Sequence, residues 1–377
     1  MPEVAADSNA WWNDGGVLMH VGPHKTGTTG LQHSLAAARP GLAEQSVLYP
    51  GKGMSHYRAT RERVNGSPER WLEIVREIQE QDHRAIISSE YLDRVDQELA
   101  PEIVAELGGR VRILITLRPL TNIIPSLWQQ HVKSGTAADL APWAEDLFLR
   151  RSDHVSWRSV DHLGLIRQWQ EVVGEDKVLI LIAESRNPEV LLHGFEDAVG
   201  IARGTLSSPD RVNRSMSATE SALALALNRK VVDSGMTVKQ QVRWIRRGIY
   251  APLVEERKVP PGEPKLVLPQ SMQDEVARRQ TEIVELLRSS GSRVVGDPET
   301  LKLSDGKVAD VGPAESVAAD AIPMDLAMSV ISALLDQALV SEDEHRQKTD
   351  RLRIKLRRQK ERRSGSRRKR SRWPRQR

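Results

Sequence analysis

The feature that most constrains this chain is a strand-to-helix junction near its start. The run Val17-Leu18-Met19-His20-Val21 is too short for a helix and is followed at once by glycine, so it reads as a buried strand. From Thr28 onward, Leu31 and Leu35 with Ala36 to Ala38 follow helical spacing and stop at Pro40-Gly41. Between them lies Gly22-Pro23-His24-Lys25-Thr26-Gly27-Thr28-Thr29. A loop placed there offers backbone N–H groups and the positive end of a helix to one spot, which suits an anion. A plain strand-to-helix turn produces the same local pattern, so the reading needs support from elsewhere in the chain.

Three further apolar runs, Ala85-Ile86-Ile87, Val111 to Leu117 and Val178 to Ile182, precede helix-like stretches, as parallel strands covered on both faces do. The expected fold is α/β, a three-layer P-loop NTPase-like architecture around a central parallel sheet, with ligands at the carboxyl ends of its strands. With 377 residues, 39% of them hydrophobic, one sizeable domain with appendages can form a core. The expected division is a leader at 1–16, the α/β domain at 17–302 with a helical portion at about 217–301, a linker at 303–323, a helix at 324–345 and a basic stretch at 346–377. Ser217-x-x-Glu220 and Ser271-x-x-Asp274 predict two helix starts.

Charge is unevenly distributed. Residues 346–377 hold 17 Lys and Arg against 2 Asp and Glu, so the rest of the chain is acidic although the whole carries +4. That stretch is expected to be disordered when free: Leu352, Ile354 and Leu356 are spaced by two and make no helical stripe. It suits an anionic polymer or a membrane surface, or has no dedicated partner, and no specific nucleic acid is predicted. The chain has no cysteine, which excludes disulfides, thiolate metal sites and thiol nucleophiles. Acids in Met1 to Asp7 do not suit a signal peptide, and no apolar run reaches the ~18 residues of a membrane span. The expected location is cytoplasmic, extending to the inner membrane face. His20, His131, His154 and His162 lack metal-ligand spacing and read as structural or surface groups, so no metal is expected. Trp128, Trp143, Trp157 and Trp169 read as core.

In a Walker A loop the lysine directly follows the second glycine, whereas here that place is Thr28 and the lysine stands earlier, at Lys25. No acid ends the strand before Arg118 to hold magnesium. The loop Gly22 to Thr29 resembles the 5′-phosphosulfate-binding loop of sulfotransferases, particularly bacterial members with the same Gly-Pro-His-Lys-Thr-Gly-Thr-Thr run. The resemblance implies 3′-phosphoadenosine 5′-phosphosulfate as donor, bound by Gly22, Pro23, His24, Lys25, Thr26, Gly27, Thr28 and Thr29. It extends over about Val17 to Leu301. Arg118, at the end of a strand, and Ser126, eight positions on, match the pair that binds the 3′-phosphate in that family. A guanidinium and a hydroxyl suit phosphate on physical grounds as well. Arg214 resembles a basic loop residue that closes over the nucleotide, and a turn explains its stretch equally. Two departures stand out. Gly30 occupies the place where many members carry an aromatic residue for adenine, and Arg118 meets Pro119 with no residue between.

Transfer to a hydroxyl or amine needs a group to take the acceptor proton. Glu90 follows the strand Ala85 to Ser89 and resembles the glutamate base of carbohydrate-type sulfotransferases; a helix-start acid is the alternative reading. His24 is the second candidate base, and Lys25 the group that stabilises the leaving phosphate. The implied acceptor is a carbohydrate or lipid-linked hydroxyl. The rival readings are a P-loop ATP-dependent kinase and a non-catalytic nucleotide- or nucleic-acid-binding protein.

Overall fold

Six strands form one wholly parallel sheet: β1 Val17–Val21, β2 Val47–Leu48, β3 Arg84–Ser89, β4 Val111–Leu117, β5 Val178–Ile182 and β6 Arg293–Val295. Their order across the sheet is β2-β3-β1-β4-β5-β6. The computed structural model describes residues 11–12, 15–81, 83–183, 188–208, 214–302 and 322–370, with backbone only at Pro188 and from 356 onward. Most of the leader, Glu184, Asn213, nearly all of the linker and residues 371–377 lie outside the described residues.

The α/β fold read from the sequence is present. The four strands read there are the four inner ones, and each is buried because helices cover both faces. On one face Leu18, Ile86, Leu114 and Leu179 pack with Leu31 and Leu35 of helix Thr28–Ala37 and with Phe195 of helix Pro188–Val199. The other face meets helix His162–Val173, which packs on β4 and β5. Trp12 of the leader is fully buried in the first layer, with the Arg84 guanidinium over its ring at 5.0 Å. Trp128, Trp143, Trp157 and Trp169 are all core.

His20 sits in the middle of β1 and is fully buried. Its ring nitrogens lie 2.8 Å from Ser88 Oγ on β3 and 2.8 Å from Thr116 Oγ1 on β4, so it laces three strands together. Burial pushes its pKa down to about 3, and the ring is neutral.

The Ser217-x-x-Glu220 box forms: Glu220 N–H donates to Ser217 Oγ (3.0 Å) and Ser217 N–H to Glu220 Oε2 (2.9 Å). Ser271 does not cap. Its helix, Gln270–Ser289, starts one residue earlier behind Pro269, and Ser271 Oγ instead donates to Glu145 Oε1 at 3.3 Å. Proline has a preset φ, and at the boundary it leaves no N–H to satisfy.

The chain divides into two compact units, residues 1–228 with 261–319 and residues 229–260 with 320–377, a division that falls inside the helical portion 217–301. In the second unit a capping box at Thr237 and Gln240 opens a helical stretch that becomes π-helical over Gln241–Tyr250. The other part of this unit is the helix Met324–Arg370. It runs on through 346–370, where the sequence reading expects disorder. Lys, Arg, Gln and Glu are good helix formers, and no proline interrupts that span, so propensity extends a helix already started by apolar residues. By length and composition Met324–Lys355 also passes as a possible membrane span, with a window of mean hydropathy 1.4. Scanning for unbroken apolar runs misses it because Asp325 and Asp336 interrupt the window.

Candidate active site

The sheet's register brings the sequence-predicted residues to one edge. Val21, the last residue of β1, lies opposite Ser89, the last of β3, and opposite Ile115 of β4, which runs two residues further. Gly22, Glu90 and Arg118 therefore leave three adjacent strands at their carboxyl ends, where an open α/β sheet takes its ligands.

The loop is closed by its own threonines. Thr28 Oγ1 donates to the Gly22 carbonyl (3.2 Å), Thr26 Oγ1 donates to the Pro23 carbonyl (2.8 Å), and the two hydroxyls lie 3.2 Å apart. A Cβ on Gly22 would lie 2.0 Å from Thr28 Oγ1, so only glycine fits. Lys25 (φ 74°) and Gly27 (φ 93°) both adopt the left-handed conformation, with Thr26 between them. Glycine does so freely, whereas for lysine it costs about 1–2 kcal/mol. Such alternation of hand makes the concavity of N–H groups that binds anions. Among the described residues, the backbone N–H groups of Lys25, Gly27, Thr28 and Thr29 have no partner in the chain. Helix Thr28–Ala37 begins at the same place and adds its dipole.

Cations gather around this cradle. Arg118 Nη1 reaches the Lys25 carbonyl at 3.4 Å, a long contact that places the guanidinium against the loop. Lys25 is half-buried; burial first, and the Arg118 charge second, hold its pKa below the usual lysine value. Ser126 is half-buried on helix Leu120–Lys133, which follows Arg118. Lys133, at the end of that helix, is pushed down to about 8 by burial and by the charges of Lys25 and Arg214, with Glu220 opposing. Sequence reasoning missed Lys133. The available signal is its spacing from Ser126: seven residues are about two helical turns, which puts both on one face. Arg214 donates two hydrogen bonds to the fully buried Glu220, at 2.7 and 2.8 Å. Its charge still reaches Lys133, but its Nη1 and Nη2 atoms are engaged by that carboxylate.

Glu90 opens the 3-10 turn Glu90–Arg94. Ser89 Oγ, which accepts from Tyr91 N–H at 3.1 Å, caps that turn, so Glu90 is not needed as the cap. Glu90 Oε2 instead accepts from Gln32 Nε2 at 3.0 Å, and Gln32 is buried in the helix that follows the loop. Behind it, Asp93 is fully buried. Its Oδ2 accepts from Ser159 Oγ (3.0 Å) and its Oδ1 lies 3.4 Å from Arg94 Nε. Burial raises the Asp93 pKa, with His24 and then Arg94 the main groups pulling it back. His24 thus stands in the field of a buried carboxyl group. On the other side, His131, whose Nε2 lies 2.7 Å from Ser156 Oγ, is lowered by burial and by the charges of His154, Arg94 and His24. Asp93 gave no sequence signal, since one acid in a turn looks like any other.

The described residues contain no group of three or more His, Asp and Glu arranged to hold a metal. An open groove of about 650 Å³, lined by residues such as Phe148, Leu149, Met272 and Arg278, contains none of the loop residues.

No protein family matches the chain's sequence, and no curated protein matches it. Among solved structures, a sulfotransferase from Alicyclobacillus acidocaldarius is similar at 14% identity and a TM-score of 0.36, over 58% of this chain and 94% of that one. At that level the likeness carries no weight for function, which has to be read from the residues themselves.

Proposed function

We propose that this chain is a sulfotransferase that moves a sulfuryl group from 3′-phosphoadenosine 5′-phosphosulfate to a hydroxyl, or an amine, of a carbohydrate or lipid-linked acceptor. The observation that carries this reading is the loop Gly22 to Thr29. Its lysine lies before the second glycine, the N–H groups of Lys25, Gly27, Thr28 and Thr29 have no partner among the described residues, and Arg118 from the neighbouring strand leans against it. The cradle that a Cβ on Gly22 would disrupt fits a single phosphate ester better than a metal-bound triphosphate, which calls for a lysine at the helix start and an acid for magnesium.

The donor supplies a sulfur whose bond to the 5′-phosphate oxygen breaks as its bond to the acceptor oxygen forms. The loop N–H groups and the Lys25 ammonium hold the charge that collects on that phosphate oxygen, leaving 3′,5′-diphosphoadenosine. Arg118 and Ser126 hold the 3′-phosphate. Glu90, tethered by Gln32, takes the acceptor proton. A second reading gives the proton to His24, and the observation in its favour is that this loop residue stands near enough to the Glu90–Arg94 turn for its charge to pull down the pKa of the buried Asp93.

The test is Lys25→Met, assayed with labelled donor and an acceptor extract. Turnover is expected to fall by roughly 10²–10³ while the melting temperature holds or rises, because the change removes a half-buried charge and its repulsion with Arg118 and leaves the backbone conformation as it was. Near-normal transfer by this variant sinks the proposal, as does tighter binding of magnesium-ATP than of 3′,5′-diphosphoadenosine.

A further inference from the structure

The helix Met324–Arg370 carries an apolar face that the fold leaves uncovered. Met324, Met328, Ile331, Leu335 and Leu339 recur every three to four residues and so share one face, and they are 77, 54, 48, 61 and 65% exposed. The opposite face holds the helix within its own unit. Leu326 and Ala333 are buried there, and Gln337 lies against Gly248. Arg257 grips Asp325 at 2.7 Å, and Arg243 pairs with Glu344 at 2.8 Å. The exposed stripe is therefore not a core face awaiting a partner from residues 229–260, which already occupy the other side.

We propose that this helix docks the protein on the surface of an anionic lipid bilayer. The five apolar side chains enter the boundary between headgroups and acyl chains, as amphipathic surface helices do. Arg346 and Arg353 continue the same face in steps of seven residues beyond Leu339, and both are exposed. Glu342 also falls on this face and closes the apolar stripe, paired with Arg346 at 3.7 Å. The excess of 17 basic over 2 acidic residues in 346–377 supplies the attraction to acidic headgroups. The geometry favours lying on the surface over crossing. Met324 to Val340 spans only about 25 Å as a helix, contains Asp325 and Asp336, and ends at Glu342-Asp343-Glu344. A parallel second copy on this face would set two strongly basic stretches side by side, and nucleic acid would leave the apolar stripe in water.

The experiment is co-sedimentation of the full chain with phosphatidylcholine vesicles and with vesicles in which about one lipid in four is phosphatidylglycerol. Binding to the anionic vesicles is expected to be roughly tenfold tighter or more, and to weaken as salt is raised. Ile331→Asp with Leu335→Asp is expected to lower it at least about tenfold, and Arg346→Glu with Arg353→Glu by a similar factor, with melting temperature and 3′,5′-diphosphoadenosine binding unchanged in both. Equal binding to neutral and anionic vesicles, or indifference to the apolar pair, overturns the proposal. A dimer in sedimentation velocity that the apolar pair dissociates, without vesicle binding, assigns the face to a second copy. Binding of duplex DNA without vesicle binding assigns the basic stretch to nucleic acid; either result overturns it.

Discussion

Adding one methyl group at Gly22 tests whether the loop is a shaped cradle or an ordinary turn. Gly22 has no left-handed backbone to protect, so Gly22→Ala is a purely steric perturbation. The new Cβ would meet Thr28 Oγ1 at 2.0 Å and Thr28 Cβ and Cγ2 at 3.0 Å. Ordinary packing requires the two to separate by about 1 Å or more. Thr28 cannot turn away without losing its 3.2 Å bond to the Gly22 carbonyl and its 3.2 Å contact with Thr26. Overpacking of this kind costs about 1–3 kcal/mol, and the lost hydrogen bond about 0.5–1.5 kcal/mol. The melting temperature should fall by several degrees. The larger effect is on function, because the helix start that carries the unpaired N–H groups shifts by about 1 Å, and a displacement of that size costs about 10²-fold in rate. Adding Thr28→Ala removes Oγ1 and Cγ2 and leaves only the Cβ contact at 3.0 Å, so the double variant should recover part of the stability while remaining poor in 3′,5′-diphosphoadenosine binding by calorimetry. A Gly22→Ala protein that melts and binds like the parent would refute the close approach on which the cradle depends.

Glu90→Gln and His24→Asn separate the two candidate bases in a pH–rate profile: the one that serves as base should lose the acidic limb and about 10²–10⁴ in rate, while the other keeps the limb. Lys133 carries its charge below about pH 8 and loses it above, so affinity for 3′,5′-diphosphoadenosine should fall as pH rises through 8, and Lys133→Met should flatten that dependence in a fluorescence titration. His20, His56 and His162 are held by burial to about 3, 4 and 4, so the folded chain keeps them neutral while the unfolded chain protonates them below about 6.5. Stability should therefore drop as pH falls from about 6.5 toward 4, by about 1.4 kcal/mol per pH unit per histidine, and a melting temperature constant from pH 7 to 5 would contradict it.

The inner sheet was legible because four apolar runs each carry their own strand signal. β2 and β6 were not, since two and three residues at the sheet margins bury too little to leave a pattern. The loop was legible because its chemistry is contiguous in sequence, and Glu90 and Arg118 because they stand immediately beyond strands. Lys133, Asp93 and His56 were not: the packing of distant elements brings them in. His56 is the clearest case. Its Nδ1 accepts from Ser88 N–H at 3.0 Å, so the proton sits on Nε2, which donates to the Pro50 carbonyl at 3.0 Å. This ring clamps the strand that leads to Glu90, and no local spacing announces it. The helical run through 346–370 escaped for a different reason. A stripe search registers apolar periodicity and ignores the intrinsic preference of Lys, Arg and Gln for helix.

The conformation and the charge of the loop both run against folding, which indicates what they serve. Lys25 is held left-handed and half-buried, and the groups that shift its pKa leave no carboxylate to offset Arg118. Glu220, the acid that acts on Lys133, is itself gripped by Arg214. Lys25 stands just ahead of a helix start, the end whose dipole is already positive and where basic groups are least welcome. A plain turn would be more stable with glycine at 25, because that change removes backbone strain and the repulsion from Arg118. The arrangement becomes favourable only when several negative charges are placed among these groups. The phosphates of the proposed donor nucleotide would supply them.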